Sequence, residues 1–370
     1  MGQTVVGLND PRAVKKWSST LAAEIGLEDY WSRFTGPNDN AVIQYQTDLE
    51  SGAGDRLSFD LSLRIRGEGV AGDERVDGTA ENLRLLSDEV RVDQYRKQVS
   101  AGGTMTRKRT LHNLRTVAKD RLKDWWREYM EQVRFIYLSG ARGINANFIV
   151  GTDWAGHAGN NVEAPDGDHI LFGGAAVSKA TLTEADKMSR TLVERAAVQA
   201  EMLQEVNPDC INMQPTMVDG APHYVMVMNP WQTHDMRQEA GSAGWMELQK
   251  AAATALGASS PIFKGGLGMI KNVVLHEHRW GIRFGDYGAG RNVQAARALL
   301  LGRQAGVMAY GSANRETKFN WVEELKDAGN EPVFTGGLIY GFKKTKFANR
   351  DLGVIAVDTA AKNPNPKQGG

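Results

Sequence analysis

Between Leu57 and Ile65 apolar and polar residues alternate without a break, with Leu57, Phe59, Leu61, Leu63 and Ile65 on one face and Ser58, Asp60, Ser62 and Arg64 on the other. That period of two predicts a half-buried strand. A Gly-rich, acidic turn region follows. A second alternating stretch through Leu83 and Leu85 then shifts phase to Val90 and Val92, which predicts a bulge in the returning strand. Together the two stretches form a long hairpin with too little attached core to stand alone. From Thr104 to about Leu138 the period changes. This run holds neither Gly nor Pro, and Leu111, Leu114, Ala118, Leu122, Trp125, Tyr129, Val133 and Ile136 recur in steps of three and four. A continuous helix of about 33 residues, on the order of 50 Å long, is expected. Trp126, Met130 and Tyr137 widen its stripe, so its second half is expected to be buried on two sides.

Other segments are less periodic. Residues 1 to 50 scatter Trp17, Tyr30, Trp31 and Phe34 around one short helix near Val14 to Leu27. They read as an arm whose apolar residues pack on something else, here another subunit. Residues 140 to 180 read as loop with short strands. A capping box at Thr181 and Glu184 predicts a helix running to about Glu205, ahead of Pro208. A strand at Tyr224 to Met228, a turn at Asn229-Pro230 and a helix from Trp231 follow. Strands at Val273 to His278 and Gly281 to Phe284 precede a helix from Asn292 to Tyr310. Two apolar strands, Gly336 to Phe342 and Leu352 to Val357, close the chain before a frayed tail.

Composition narrows what such a chain can do. Forty-four basic residues balance forty-four acidic ones, so no global field drives it onto nucleic acid or an anionic membrane. Cys210 is the one cysteine, which excludes an internal disulfide and a thiolate zinc site and fits a buried spectator in a reducing cytoplasm. No apolar run approaches the roughly 20 residues that span a bilayer, and no signal-peptide apolar region stands at the N-terminus. His276-Glu277-His278 would place two imidazoles on one face of a strand, but a metal needs further ligands that no spacing supplies. Asp166 and Asp168 beside His169 lack the rest of a calcium loop and read as a turn. The Trp and Tyr residues of the long helix sit at core spacing, not as a base-stacking platform. No phosphate loop, nucleophile elbow or H-E-x-x-H motif occurs. No cofactor is expected.

Six segments carry a resemblance over nearly the whole chain. They are Gly54-Asp55-Arg56-Leu57-Ser58-Phe59; Leu63-Arg64-Ile65-Arg66-Gly67-Glu68-Gly69-Val70-Ala71-Gly72-Asp73; Val92-Asp93-Gln94-Tyr95-Arg96; Tyr224-Val225-Met226-Val227-Met228-Asn229-Pro230; Asn272-Val273-Val274-Leu275-His276-Glu277; and Gly353-Val354-Ile355-Ala356-Val357-Asp358-Thr359-Ala360. In this order they resemble the tailed-bacteriophage major capsid proteins of the Hong Kong 97 fold, in the group related to the coliphage N-four capsid protein. The resemblance implies an α+β fold divided into an N-terminal arm (1–50), an extended β-hairpin loop (51–100), a peripheral domain (101–215) whose spine helix covers about 104–138, an axial domain (216–335), and return strands of the peripheral domain with the tail (336–370). It also implies a structural role without catalysis. Copies would assemble as pentamers and hexamers, in the host bacterial cytoplasm, into the icosahedral head of a virion around double-stranded DNA. The short arm implies a separate scaffolding protein; a portal and decoration proteins are further partners, and no membrane is involved.

One charge pattern suggests where copies meet. The hairpin tip carries Glu68, Asp73, Glu74 and Asp77 against the single Arg75, while the expected start of the spine helix carries Arg107, Lys108 and Arg109. Cations at a helix N-terminus oppose its dipole and want an anionic partner. A neighbour's tip is the expected partner, with DNA phosphate as the alternative. Two other functions fit the bulk properties: an encapsulin-like compartment shell, and a cytoplasmic enzyme whose site leaves no motif.

Overall fold

The computed structural model describes residues 29–46, 54–62, 68–73, 75–83, 85–110, 113–218, 220–239, 262, 265–311 and 319–365. Four α-helices lie among them: α1 (Thr104–Arg109), α2 (Leu114–Ser139), α3 (Arg190–Val206) and α4, formed by residues 230–239. The helix expected over 104–138 is therefore two. Thr110, β-branched, takes extended dihedrals, and the Asn113 side chain accepts from Thr116 N–H to start α2 afresh. Gly140 ends α2 in the left-handed region (φ 66), where a Cβ would lie 2.2 Å from the Glu163 carbonyl oxygen, so no other residue fits there. The second half of α2 is enclosed throughout: every residue from Tyr129 to Ser139 is buried. Its first half shows one reversal, because Trp126 is fully buried and Trp125 only partly.

The strands form two main sheets. In the six-stranded sheet the long strand Glu331–Lys344 pairs with Phe319–Lys326 along its first half and Gly306–Gly311 along its second, while Asp93–Ser100 takes the opposite flank. Ile43–Gln46 and Thr35–Gly36 extend it in parallel. Helix α2 packs on this sheet: Gly336 must be Gly, since a Cβ there would stand 2.8 Å from Trp126 Nε1. The eight-stranded sheet runs in the order Gly268–Ile270, Val273–Glu277, Ala221–Met228, Val293–Leu301, Val354–Ala360 and Ile170–Phe172; Arg283–Tyr287 and Thr216–Val218 pair off this path. Both of its faces are covered. Tyr224, Met226, Met228, Leu275, Leu300 and Ile355 meet the Leu192, Val193, Ala196 and Ala200 side of α3, whereas Val225, Val227, Val274, Leu299 and Leu301 face the core shared with α2.

The helix expected over Asn292 to Tyr310 is two strands, because a strand covered on both faces shows no alternation and its Ala and Leu residues mimic a helix. Helix α3 starts at Arg190, not Thr181. Ser189 caps it by accepting from Leu192 N–H at 3.2 Å, while Thr181 and Thr183 are engaged in turns, with Val177 and Ser178 N–H for the first and Asp186 for the second. The arm does not pack wholly elsewhere. Tyr30, Trp31 and Phe34 are buried in this chain's own core beside Phe135, and the Asp29 carboxylate pairs with Arg134 of α2. The short helix near Val14 to Leu27 lies outside the described residues. The segment 216–335 contributes to both sheets, and of the closing strands Glu331–Lys344 joins the six-stranded sheet and Val354–Ala360 the eight-stranded one.

Candidate intersubunit surface

Arg56–Ser62 and Leu85–Arg91 pair antiparallel as a two-stranded ribbon, from Arg56↔Arg91 to Ser62↔Leu85. The register is unbroken, so the expected bulge is absent. The phase change in the sequence arises because Leu85 and Leu86 are adjacent and take opposite faces: Leu86, Asp88 and Val90 lie inward opposite Leu61, Phe59 and Leu57, and Leu85 lies outward. The inner face is anchored. Leu57, Phe59 and Val92 pack on Val90, Val307 and Ala309, and the Phe59 ring meets Phe347 edge-on at 5.9 Å. Asp88 accepts from Lys343 Nζ and from Lys346 N–H. The outer end is bare. Val76, Leu83 and Leu85 are 69%, 71% and 66% exposed, and a two-stranded ribbon carrying such residues needs a cover that this chain does not supply among its described residues.

Among the described residues, no ion pair joins Glu68, Asp73 or Asp77 to Arg107, Lys108 or Arg109 within one subunit. Glu68, Asp73 and Asp77 are exposed in the loop joining the two strands, and Glu74 lies outside the described residues. Arg107, Lys108 and Arg109 form the last turn of α1, not the first turn of the spine helix. Their placement is thus favourable toward the dipole of their own helix, and the electrostatic demand expected from an N-terminal location does not exist. Arg107 is also engaged, donating from Nη2 to the Asn330 carbonyl at 2.9 Å and to Thr104 Oγ1 at 3.1 Å. Lys108 and Arg109 are exposed. At the true start of α2, Arg115 pairs with Glu323, and Lys119 lies 3.9 Å from the same carboxylate.

The polar groups that could suggest chemistry are absorbed by packing. His276 lies against the Ile262 carbonyl (Nε2 to O 2.8 Å), and His278 stacks on Phe135 with ring centroids 4.9 Å apart. Burial pushes their pKa values down to about 4 and about 3, so both are neutral members of an aromatic cluster with Tyr30. Asp166 caps a short turn by accepting from Asp168 and His169 N–H and from His169 Nδ1; Asp168 pairs with Arg350 and accepts from Asn207. Beside them a cleft of about 720 Å³ opens between the hairpin and the body, lined by Leu61, Leu86, Phe347, Arg303 and Cys210. Burial pushes the Cys210 thiol up to about 11, which leaves it a poor nucleophile at neutral pH. Among the described residues no group of three or more His, Cys, Asp or Glu side chains is placed to hold a metal ion, and no helix is long and apolar enough to cross a membrane.

The phage capsid protein family matches residues 5–363. The chain is 26% identical over 375 residues to the major capsid protein of Pseudomonas phage KPP25, an alignment covering 93% of this chain and 94% of that protein. Its structure is similar to the capsid of Ralstonia phage GP4, with 54% identity, a TM-score of 0.87, and coverage of 99% of this chain and 100% of that one. The capsid asymmetric unit of cyanophage Pam1, 20% identical, shares the fold at a TM-score of 0.68 over 90% of this chain and 92% of that one.

Proposed function

The chain belongs to the phage capsid protein family and is a structural major capsid protein, and from that premise we propose that it assembles as pentamers and hexamers into an icosahedral head around phage double-stranded DNA, in the cytoplasm of a host bacterium. The observation that carries the proposal is the hairpin, rooted firmly on its own subunit and apolar at its bare outer end. In this reading the six-stranded sheet with α2 is the peripheral part, the eight-stranded sheet with α3 and α4 gathers around the five-fold and six-fold axes, and the hairpin lies over a neighbour. A separate scaffolding protein, a portal and decoration proteins act as partners. Packaged DNA is contacted without sequence preference, consistent with a chain of balanced charge.

Contact between the acidic tip and a neighbour's Lys108 and Arg109 gives this reading its test. Asp73→Lys with Glu74→Lys should cut the yield of empty shells several-fold near physiological salt, and adding Lys108→Glu with Arg109→Glu should restore part of it. The loss should shrink as ionic strength rises, since exposed pairs are screened within about 8 Å at 0.15 M. Normal assembly of the tip variant would remove the tip from the interface. A defect of the α1 variant confined to DNA-filled particles would make phosphate the partner of Lys108 and Arg109.

A further inference from the structure

The chain passes from hairpin to body at Val92. Arg91 is the last residue paired within the hairpin, and Asp93 is the first paired with the long strand, opposite Tyr340. A two-stranded ribbon leaving a sheet at such a joint would swing on it unless held on both sides; its inner face rests on the body through Phe59 against Phe347 and Asp88 with Lys343, and the joint itself needs a hold of its own. The ribbon's seven paired residues span roughly 23 Å at 3.3 Å per residue, so a swing of about 10° would carry the far end by roughly 4 Å, further than any specific contact tolerates.

A small turn blocks the joint. Gly156–His157 and Asn160–Asn161 pair as a minimal hairpin, closed by Ala158 and Gly159, both at positive φ (58 and 75), the combination that a tight two-residue hairpin turn requires. The Asn160 side chain then treats Arg91 as a strand partner would: Oδ1 accepts from Arg91 N–H at 3.0 Å, and Nδ2 donates to the Arg91 carbonyl at 2.8 Å. On the far side of Val92, His157 Nε2 lies 3.1 Å from the Asp93 carbonyl, and its ring stacks on Tyr340 at 4.5 Å. Tyr137 of α2 holds the turn in place, its hydroxyl accepting from His157 N–H and donating to the Asn160 carbonyl, each at 2.7 Å. Gly156 leaves room for this, since a Cβ there would stand 2.0 Å from the Asn160 carbonyl oxygen. Asn160 and His157 are both buried, and the two backbone positions they hold flank the joint on either side.

We propose that the turn 156–161 is a block that fixes the angle of the hairpin on the body, with Asn160 as the positioning residue that aims the hairpin's outer end at the neighbouring subunit. The aim has a consequence only if the hairpin reaches a neighbour, so the proposal rests on that reading. Asn160→Ala removes both hydrogen bonds to Arg91, whereas Asn160→Asp keeps an acceptor for Arg91 N–H and loses the donor. Amide exchange of the full-length chain before assembly should rise by about tenfold or more across 56–62 and 85–91 in Asn160→Ala, and by at least as much in Asn160→Asp, whose second oxygen would face the Arg91 carbonyl, with α2 unchanged in both. Shells formed by Asn160→Ala should then be heterogeneous in size. Unchanged hairpin exchange would overturn the proposal. So would an equal rise in α2, which would make the turn a general part of the fold. If hairpin exchange rises while shells form in normal yield and size, the block stands and the neighbour reading of the hairpin fails.

Discussion

Trp126→Ala is expected to cost about 3 to 5 kcal/mol of stability, the range for truncating a fully buried large aromatic. The indole is 0% exposed and wedged between α2 and the six-stranded sheet, edge-on to Phe319 at 5.4 Å and to Tyr129 at 5.9 Å. Its position also explains the glycine facing it. With Gly336 lacking a Cβ, the position facing the indole has no side chain to fill the space that the truncation would leave. A native domain is stable by only about 5 to 15 kcal/mol, so a loss of this size depletes the folded pool from which shells form. Denaturant unfolding should show a lower midpoint with little change in slope. Trp125→Ala should cost clearly less. That ring is partly exposed, and it stacks on Tyr129 at 5.1 Å and beneath Lys97 without filling a closed space. Equal losses for the two tryptophans would contradict the packing described.

Asp358→Ala is expected to be comparably severe for an electrostatic reason. Asp358 and Arg297 stand directly opposite on neighbouring strands of the eight-stranded sheet and pair bidentately, with both hydrogen bonds at 2.7 Å. Arg297 Nη1 also donates to the Ser139 carbonyl at the C-terminus of α2, and Tyr287 donates to Asp358 at 2.6 Å, so one network ties the long helix to the second sheet. Burial opposes the charge on Arg297, and the Asp358 carboxylate overcomes it, holding the guanidinium above its ordinary pKa. Removing the carboxylate alone strands a buried cation, which typically costs about 3 to 5 kcal/mol. Replacing both, as Arg297→Met with Asp358→Leu, should recover most of the loss, because a buried pair is often matched by apolar residues of similar volume. Unfolding curves of the two variants check this. A double variant no better than Asp358→Ala would show that the network contributes more than charge neutralisation.

What the sequence made legible follows from which forces leave a periodic trace. The alternation at Leu57 to Leu61 marks one covered face, as do Ala118 and Leu122 in the first half of α2, and both elements stand where the pattern put them although the second half of α2 is enclosed all round. Val293–Leu301 left no such trace, being covered by α3 on one side and by the core of α2 on the other. The break before α2 was marked only by Asn113, an N-cap residue inside a run without Gly or Pro. At the candidate surface the hairpin and its acidic tip were plain. The setting of Arg107, Lys108 and Arg109 was not, since it turns on that same break. The contacts of Asn160 with Arg91 join residues 69 apart, and no local pattern announces them.

If the exposed hairpin is completed by other copies of this chain, purified subunits should assemble on their own. Electron microscopy of the purified full-length chain at micromolar concentration and moderate salt tests that most directly. Closed shells, or five- and six-membered capsomers, are the predicted result; a population of monodisperse monomers would contradict it.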